Sequence, residues 1–194
     1  MQIKKFSKDL LQKKIGSIGV FPIDIMIVGA TGSGKSSTIN ALFDLEVAKV
    51  GTGVDPETMD IQKFDLDNLV LWDSPGLGDG KEKDIEHSKG IIKKLNELDD
   101  NNKRLIDMVL VLLDGSSRDL GTSYELINSV IIPNLGENAE KRIIVAINQA
   151  DVAMKGKYWN DERNIPEKEL EILKLEKNEI LDKSNLSEMY NRKF

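Results

Sequence analysis

The chain has 194 residues, 40% of them hydrophobic and 31% charged, enough for one α/β domain with a real core but not comfortably for two. It contains no cysteine, which excludes disulfides and thiolate metal sites and makes a reducing compartment, the cytoplasm, the default address. A net charge of −6 argues against broad nucleic-acid binding, and the longest apolar run, the six residues Met108–Leu113, falls far short of the about 20 that a membrane-spanning helix needs.

The N-terminus is lysine-rich but lacks a continuous apolar stretch, so no secretory signal is expected. Ile3, Phe6, Leu10, Leu11, Ile15 and Ile18 recur at three- and four-residue steps. Residues 1–19 therefore read as an amphipathic helix, packed on the flank of the domain in preference to a membrane surface or a partner.

Four runs then read as strands buried on both faces: Ile23–Val28, Leu69–Trp72, Ile106–Leu113 and Arg142–Ile147. Met59–Phe64 alternates and reads as an edge strand. Helical patterns lie between them at Lys35–Phe43, Lys81–Leu98 and Leu120–Ile132. Alternating strands and helices predict parallel βαβ units in a three-layer sandwich over residues 20–157. Residues 158–194 read as a helical tail, with Pro166 at a first helical position after Asn164 and the apolar residues Leu170, Ile172, Leu173, Leu175, Ile180 and Leu181 behind it.

Three loops carry chemistry. Gly29-Ala30-Thr31-Gly32-Ser33-Gly34-Lys35-Ser36 sits between a strand and a helix and matches the phosphate-binding loop G-x-x-x-x-G-K-[ST] in full. A strand turning into a helix through glycines wraps backbone N–H groups around one anion, and the helix dipole adds to them. Thr31, Gly32, Ser33, Gly34, Lys35, Ser36 and Ser37 are the candidate phosphate contacts. Lys35 would bridge the β- and γ-phosphates, and the Ser36 hydroxyl would ligate Mg²⁺. A glycine-rich turn with a solvated lysine is the alternative that the flanking elements disfavour.

Asp73-Ser74-Pro75-Gly76 closes the next buried strand. A carboxylate there lies on the ligand side of an open sheet and can hold Mg²⁺, directly or through water. Gly76 can bring a backbone N–H to the γ-phosphate. Asn148-Gln149-Ala150-Asp151 ends the last strand. Guanine's Watson–Crick edge offers two adjacent donors, and Asp151, an acceptor-only carboxylate, can take both. Adenine would set a lone pair against it.

These motifs resemble the guanine-nucleotide-binding proteins of the translation-factor-related P-loop class over about residues 20–155. GATGSGKSSTINALF and WDSPGLGDG are similar to the bacterial YfjP/YeeP-like GTPases and, more distantly, to the immunity-related GTPases. The resemblance implies a P-loop NTPase fold, the G domain, with a mainly parallel sheet, and Mg²⁺-dependent hydrolysis of GTP as a nucleotide-controlled switch. It also implies a loop threonine that closes over Mg²⁺ and the γ-phosphate. Within GTGVDPETMDI that role aligns with Thr58, with Thr52 as the alternative. It implies, too, GTP-dependent homodimers that supply catalytic groups in trans.

The chain departs from the family pattern in three places. Gln149 replaces a lysine whose stem lies along the nucleotide, which should weaken binding without changing base choice. Leu77 stands where Ras-like proteins carry the glutamine that orients the attacking water. The sixth strand, the loop touching the base and the final helix are not legible. A non-hydrolysing guanine-nucleotide-binding module is therefore the second reading, and an ATPase or kinase the third. His87, the only histidine, reads as a helix residue rather than a catalytic one, and Trp72 as a core or sheet-face residue.

Overall fold

The computed structural model describes residues 22–43, 60–66, 69–117, 120–157, 159–163 and 165–166. The expected N-terminal helix, Thr52, Thr58 and the apolar part of the tail lie outside the described residues.

Five strands form one sheet in the order β2-β3-β1-β4-β5. They are β1 (Ile23–Gly29), β2 (Gln62–Leu66), β3 (Leu69–Asp73), β4 (Met108–Asp114) and β5 (Ile143–Asn148). β1 pairs in parallel with β3 and β4, and β4 with β5, while β2 runs antiparallel at the edge beside β3. Four of the five expected strands are thus found with ends shifted by one or two residues. The fifth, expected from Met59, begins at Gln62; Met59 itself lies outside the described residues.

The period-two pattern of β1 explains the two cores. Met26 and Val28 face one side with Val70, Trp72, Val109, Val111 and Leu113. Ile27 faces the other with Leu69, Leu71 and Leu112. Helix α1 (Lys35–Phe43) covers the second side through Ile39. Helix α2 (Lys81–Leu95) covers the first through Ile91 and Leu95. Its acidic first turn (Glu82, Asp84) and basic last turn (Lys93, Lys94) complement the helix dipole.

The third helical pattern is one rod in three parts: α3 (Gly121–Glu125), a π-helical stretch (Leu126–Ile131) and α4 (Ile132–Leu135). Pro133 has no N–H to donate one turn back, and the wider register just before it accommodates the loss. Leu126, Ile127, Val130 and Ile131 are buried there. A short α5 (Ala139–Arg142) leads into β5.

Two expectations are corrected. The second helix stops at Leu95 rather than Leu98: Asn96 caps it, its N–H bonding the Ile92 carbonyl, and Leu98 turns away to bridge Arg104. Pro166 does not open a helix. It closes a two-residue strand, β7 (Ile165–Pro166), paired antiparallel with β6 (Trp159–Asn160). No helix among the described residues is long and apolar enough to cross a membrane.

Candidate nucleotide-binding site

Gly29, Asp73 and Asn148 end β1, β3 and β5. The parallel register brings these ends to the same edge of the sheet: Ile27 lies beside Asp73, Gly29 beside Leu112, and Asp114 beside Asn148. Carboxyl ends of strands are where open α/β sheets bind ligands. The three sequence motifs are therefore neighbours because the sheet makes them so.

The loop between Gly29 and Lys35 curls over the start of α1. Lys35 is 7% exposed, and its Nζ donates to the carbonyls of Gly29 (3.3 Å) and Ala30 (3.0 Å). Burial lowers the ammonium's pKa to about 8, against the opposing pull of the Asp73 and Asp79 carboxylates. Gly34 has φ +87°, and a Cβ there would collide with the Asn148 amide, so only glycine lets the two loops meet. Thr31, Gly32 and Ser37 are exposed, Ser36 and Gly34 half-buried. Ser33 is fully buried, and its Oγ has no hydrogen-bond partner.

Ser36 Oγ donates to Asp73 Oδ2 at 2.7 Å. The other carboxylate oxygen, Oδ1, is buried without a hydrogen-bond partner. Burial raises the Asp73 pKa, while the Ser36 hydrogen bond and Lys35 oppose the rise. A buried, unpartnered carboxylate oxygen beside a serine hydroxyl fits a divalent cation: both are hard oxygen ligands, and the cation would supply Oδ1 with its missing partner. Among the described residues no group of three or more His, Cys, Asp or Glu side chains could hold a metal. A cation here would complete its shell with phosphate oxygens and water, as Mg²⁺ does in phosphoryl-transfer sites.

Asn148 Nδ2 donates to the Ser33 carbonyl at 2.9 Å. Gln149, held at φ +55°, donates from Nε2 to the Gly32 carbonyl at 2.7 Å. The loop after β5 is thus tied twice to the glycine-rich loop after β1. Val152 N–H closes a turn on the Gln149 carbonyl, leaving Asp151 exposed within it. The sequence reading missed the Gln149 tie, because a neutral amide carries no local signal of a partner 117 residues away.

The segment after Asp73 lies against the phosphate loop. A Cβ on Gly76 would fall 2.7 Å from the Thr31 nitrogen, so this close approach requires glycine. Leu77 is 5% exposed and packs into the core on the α2 side. It is turned away from solvent as well as chemically unable to hold a water. His87 is buried in α2, with Nδ1 2.8 Å from the Gly76 carbonyl. The histidine, read from sequence as a helix residue, supports the loop from behind. Trp72 is a sheet-face residue, its Nε1 donating to Asp24 at 2.7 Å and Lys94 lying 4.2 Å from the ring centre.

A family model described as 50S ribosome-binding GTPase matches residues 24–149. The chain is 32% identical to YfjP of Escherichia coli over 133 residues, which are 66% of this chain and 42% of YfjP. It is 29% identical to an immunity-related GTPase family M protein of Rattus norvegicus over 155 residues, 69% of this chain and 38% of that one. The chain spans under half the length of these curated relatives. The sequence resemblance to YfjP-like GTPases is borne out. Toc33 of Arabidopsis thaliana, solved in complex with Mg²⁺ and GMPPNP, superposes with a TM-score of 0.60 at 16% identity. That match covers 92% of this chain and 68% of Toc33. A dimerization-deficient Toc33 mutant superposes at 0.64 and 15% identity. These structures share the three-layer P-loop fold.

Proposed function

The chain belongs to the 50S ribosome-binding GTPase family, and from that premise we propose that it binds guanine nucleotide with Mg²⁺ and hydrolyses GTP to GDP and phosphate as a switch. One observation carries this reading most directly. Ser36 and Asp73 join at 2.7 Å beside a buried Lys35, with one Asp73 oxygen left unpartnered.

Lys35 and the loop N–H groups receive the phosphates; Ser36 and Asp73 hold the cation, and Asp151 selects the base. Thr58 is proposed to join them when the nucleotide is a triphosphate. Mg²⁺, when bound, neutralises charge on the β- and γ-phosphate oxygens. The chain's own part is positioning: Lys35 and the Gly76 N–H face the charge that builds between the β- and γ-phosphates. Toc33 is supported in its own case as a nucleotide- and Mg²⁺-binding protein and as a dimer-forming one, which favours the proposal that this chain pairs with a second copy in the GTP state.

A non-hydrolysing module is the second reading, and the burial of Leu77 favours it. Single-turnover release of phosphate from GTP, with ATP as control, separates the two. Phosphate release from GTP alone supports the switch. Tight GTP binding without release supports the module.

A further inference from the structure

The segment after β3 is hydrogen-bonded to the phosphate loop at three points. Thr31 N–H donates to the Leu77 carbonyl at 2.8 Å, and Leu77 N–H to the Gly29 carbonyl at 3.4 Å. These make a parallel bridge between Ala30 and Leu77. The third contact is between side chains: Thr31 Oγ1 donates to Asp79 Oδ2 at 2.8 Å. Asp79 is fixed from the other side, since the N–H groups of Gly78 and Asp79 both donate to Asp84 Oδ1, at 2.8 Å and 3.3 Å. Behind the bridge, His87 meets the Gly76 carbonyl.

This arrangement places an anion on the phosphate loop. Asp79 bonds a residue of the loop itself, and after Asp73 it is the other carboxylate whose charge acts on the Lys35 ammonium. A terminal phosphate directed at Lys35 and the Gly76 N–H would bring further negative charge to the same neighbourhood. Two anions around one ammonium repel each other. A diphosphate brings only its β-phosphate to Lys35 and meets less of this repulsion.

We propose that Asp79 discriminates between nucleotide states: its bond to Thr31 holds the post-β3 segment on the phosphate loop, and a triphosphate binds only by displacing it. The inference rests on the guanine-nucleotide reading above. It makes the diphosphate form the resting state and gives the switch a stored contact to break. Gly78 and Asp79 are tied to Asp84 in the first turn of α2, so loss of the bond to Thr31 is passed to that helix while Gly76 stays beside the loop.

The test is a pair of affinities, for GDP and for GMPPNP, each with Mg²⁺, on the full chain and on Asp79→Ala and Asp79→Asn. Asp79 is half-exposed, so neither substitution disturbs the core. In Asp79→Ala the preference for GDP over GMPPNP should fall about five- to thirtyfold, the scale of one partly exposed, charge-assisted hydrogen bond. GDP affinity should stay within about twofold, because the diphosphate never displaced the contact. Asp79→Asn keeps an acceptor for Thr31 but loses the charge, and should fall between the two. An unchanged ratio in both variants overturns the proposal, as does selective loss of GMPPNP affinity, which would make Asp79 a support for the triphosphate. Failure of the wild-type chain to bind either nucleotide removes the guanine-nucleotide reading and this inference together.

Discussion

At Lys35, burial and function are in tension. The ammonium titrates near pH 8 in place of 10.5 because it is desolvated. Phosphates placed over it would raise that value again, so binding takes up a proton once the free site begins to lose one. Affinity for GDP and GTP should therefore be flat below pH 8 and decline above it, approaching tenfold per pH unit while the bound lysine stays protonated. Titrations between pH 7 and 9.5 check this, and affinity that rises over that range would refute it. Lys35→Ala should lose tight nucleotide binding. Its melting temperature should stay within about 3 °C of wild type, since the environment disfavours the charge it removes. Wild-type-like GTP affinity in the folded variant would remove the phosphate-loop assignment. Gln149 shows the limit of motif reading at this scale: its position in the loop was legible, but its hydrogen bond to Gly32 arises only when β5 and β1 share a sheet edge.

The elements read from periodicity alone were the ones whose signals are local and long. Helix α1 has the bounds expected from the glycine loop before it, and β1 and β4 are apolar at most of their positions. The misreadings fall where a short hairpin or bridge overrides the local helical signal. Ile165–Pro166 carries a local helix-start signal, but its pairing with Trp159–Asn160 overrides it. Leu98 continues the helical pattern, yet Arg104 bridges it and the helix ends first. Leu77 is legible as the residue after Gly76, whereas its burial against the α2-side core carries no local signal. Leu77→Gln should accordingly not create a Ras-like site. An unpaired amide in that core should cost about 1–3 kcal/mol of stability, with no gain in single-turnover hydrolysis. Denaturant unfolding and phosphate release read both quantities. Faster hydrolysis with unchanged stability would contradict the placement of Leu77.

At the scale of the whole molecule, one sheet edge gathers the glycine-rich loop, the Ser36–Asp73 pair and the Asn148–Asp151 loop from strands that are far apart in sequence. Leu77, which follows Gly76, is buried and cannot orient an attacking water. Hydrolysis by dilute protein should then be slow, on the order of 10⁻⁴ to 10⁻³ per second, the scale of an unassisted Ras-type site. If a second copy completes the site, turnover per molecule should rise with protein concentration; a flat dependence would count against the dimer. The claim on which all of this depends is that Asp151 reads guanine. Xanthine keeps guanine's N1–H but replaces its amino donor with a carbonyl, so the wild-type carboxylate would face an acceptor, at a cost of about 1–3 kcal/mol or more. Asn at this position can donate to that carbonyl while still accepting from N1–H. Competition between GTP and xanthosine triphosphate on wild type and Asp151→Asn is the direct measurement. The account predicts that wild type prefers GTP and that the variant's preference moves to xanthosine triphosphate with phosphate and Mg²⁺ dependence intact, whereas an unchanged base preference would contradict it.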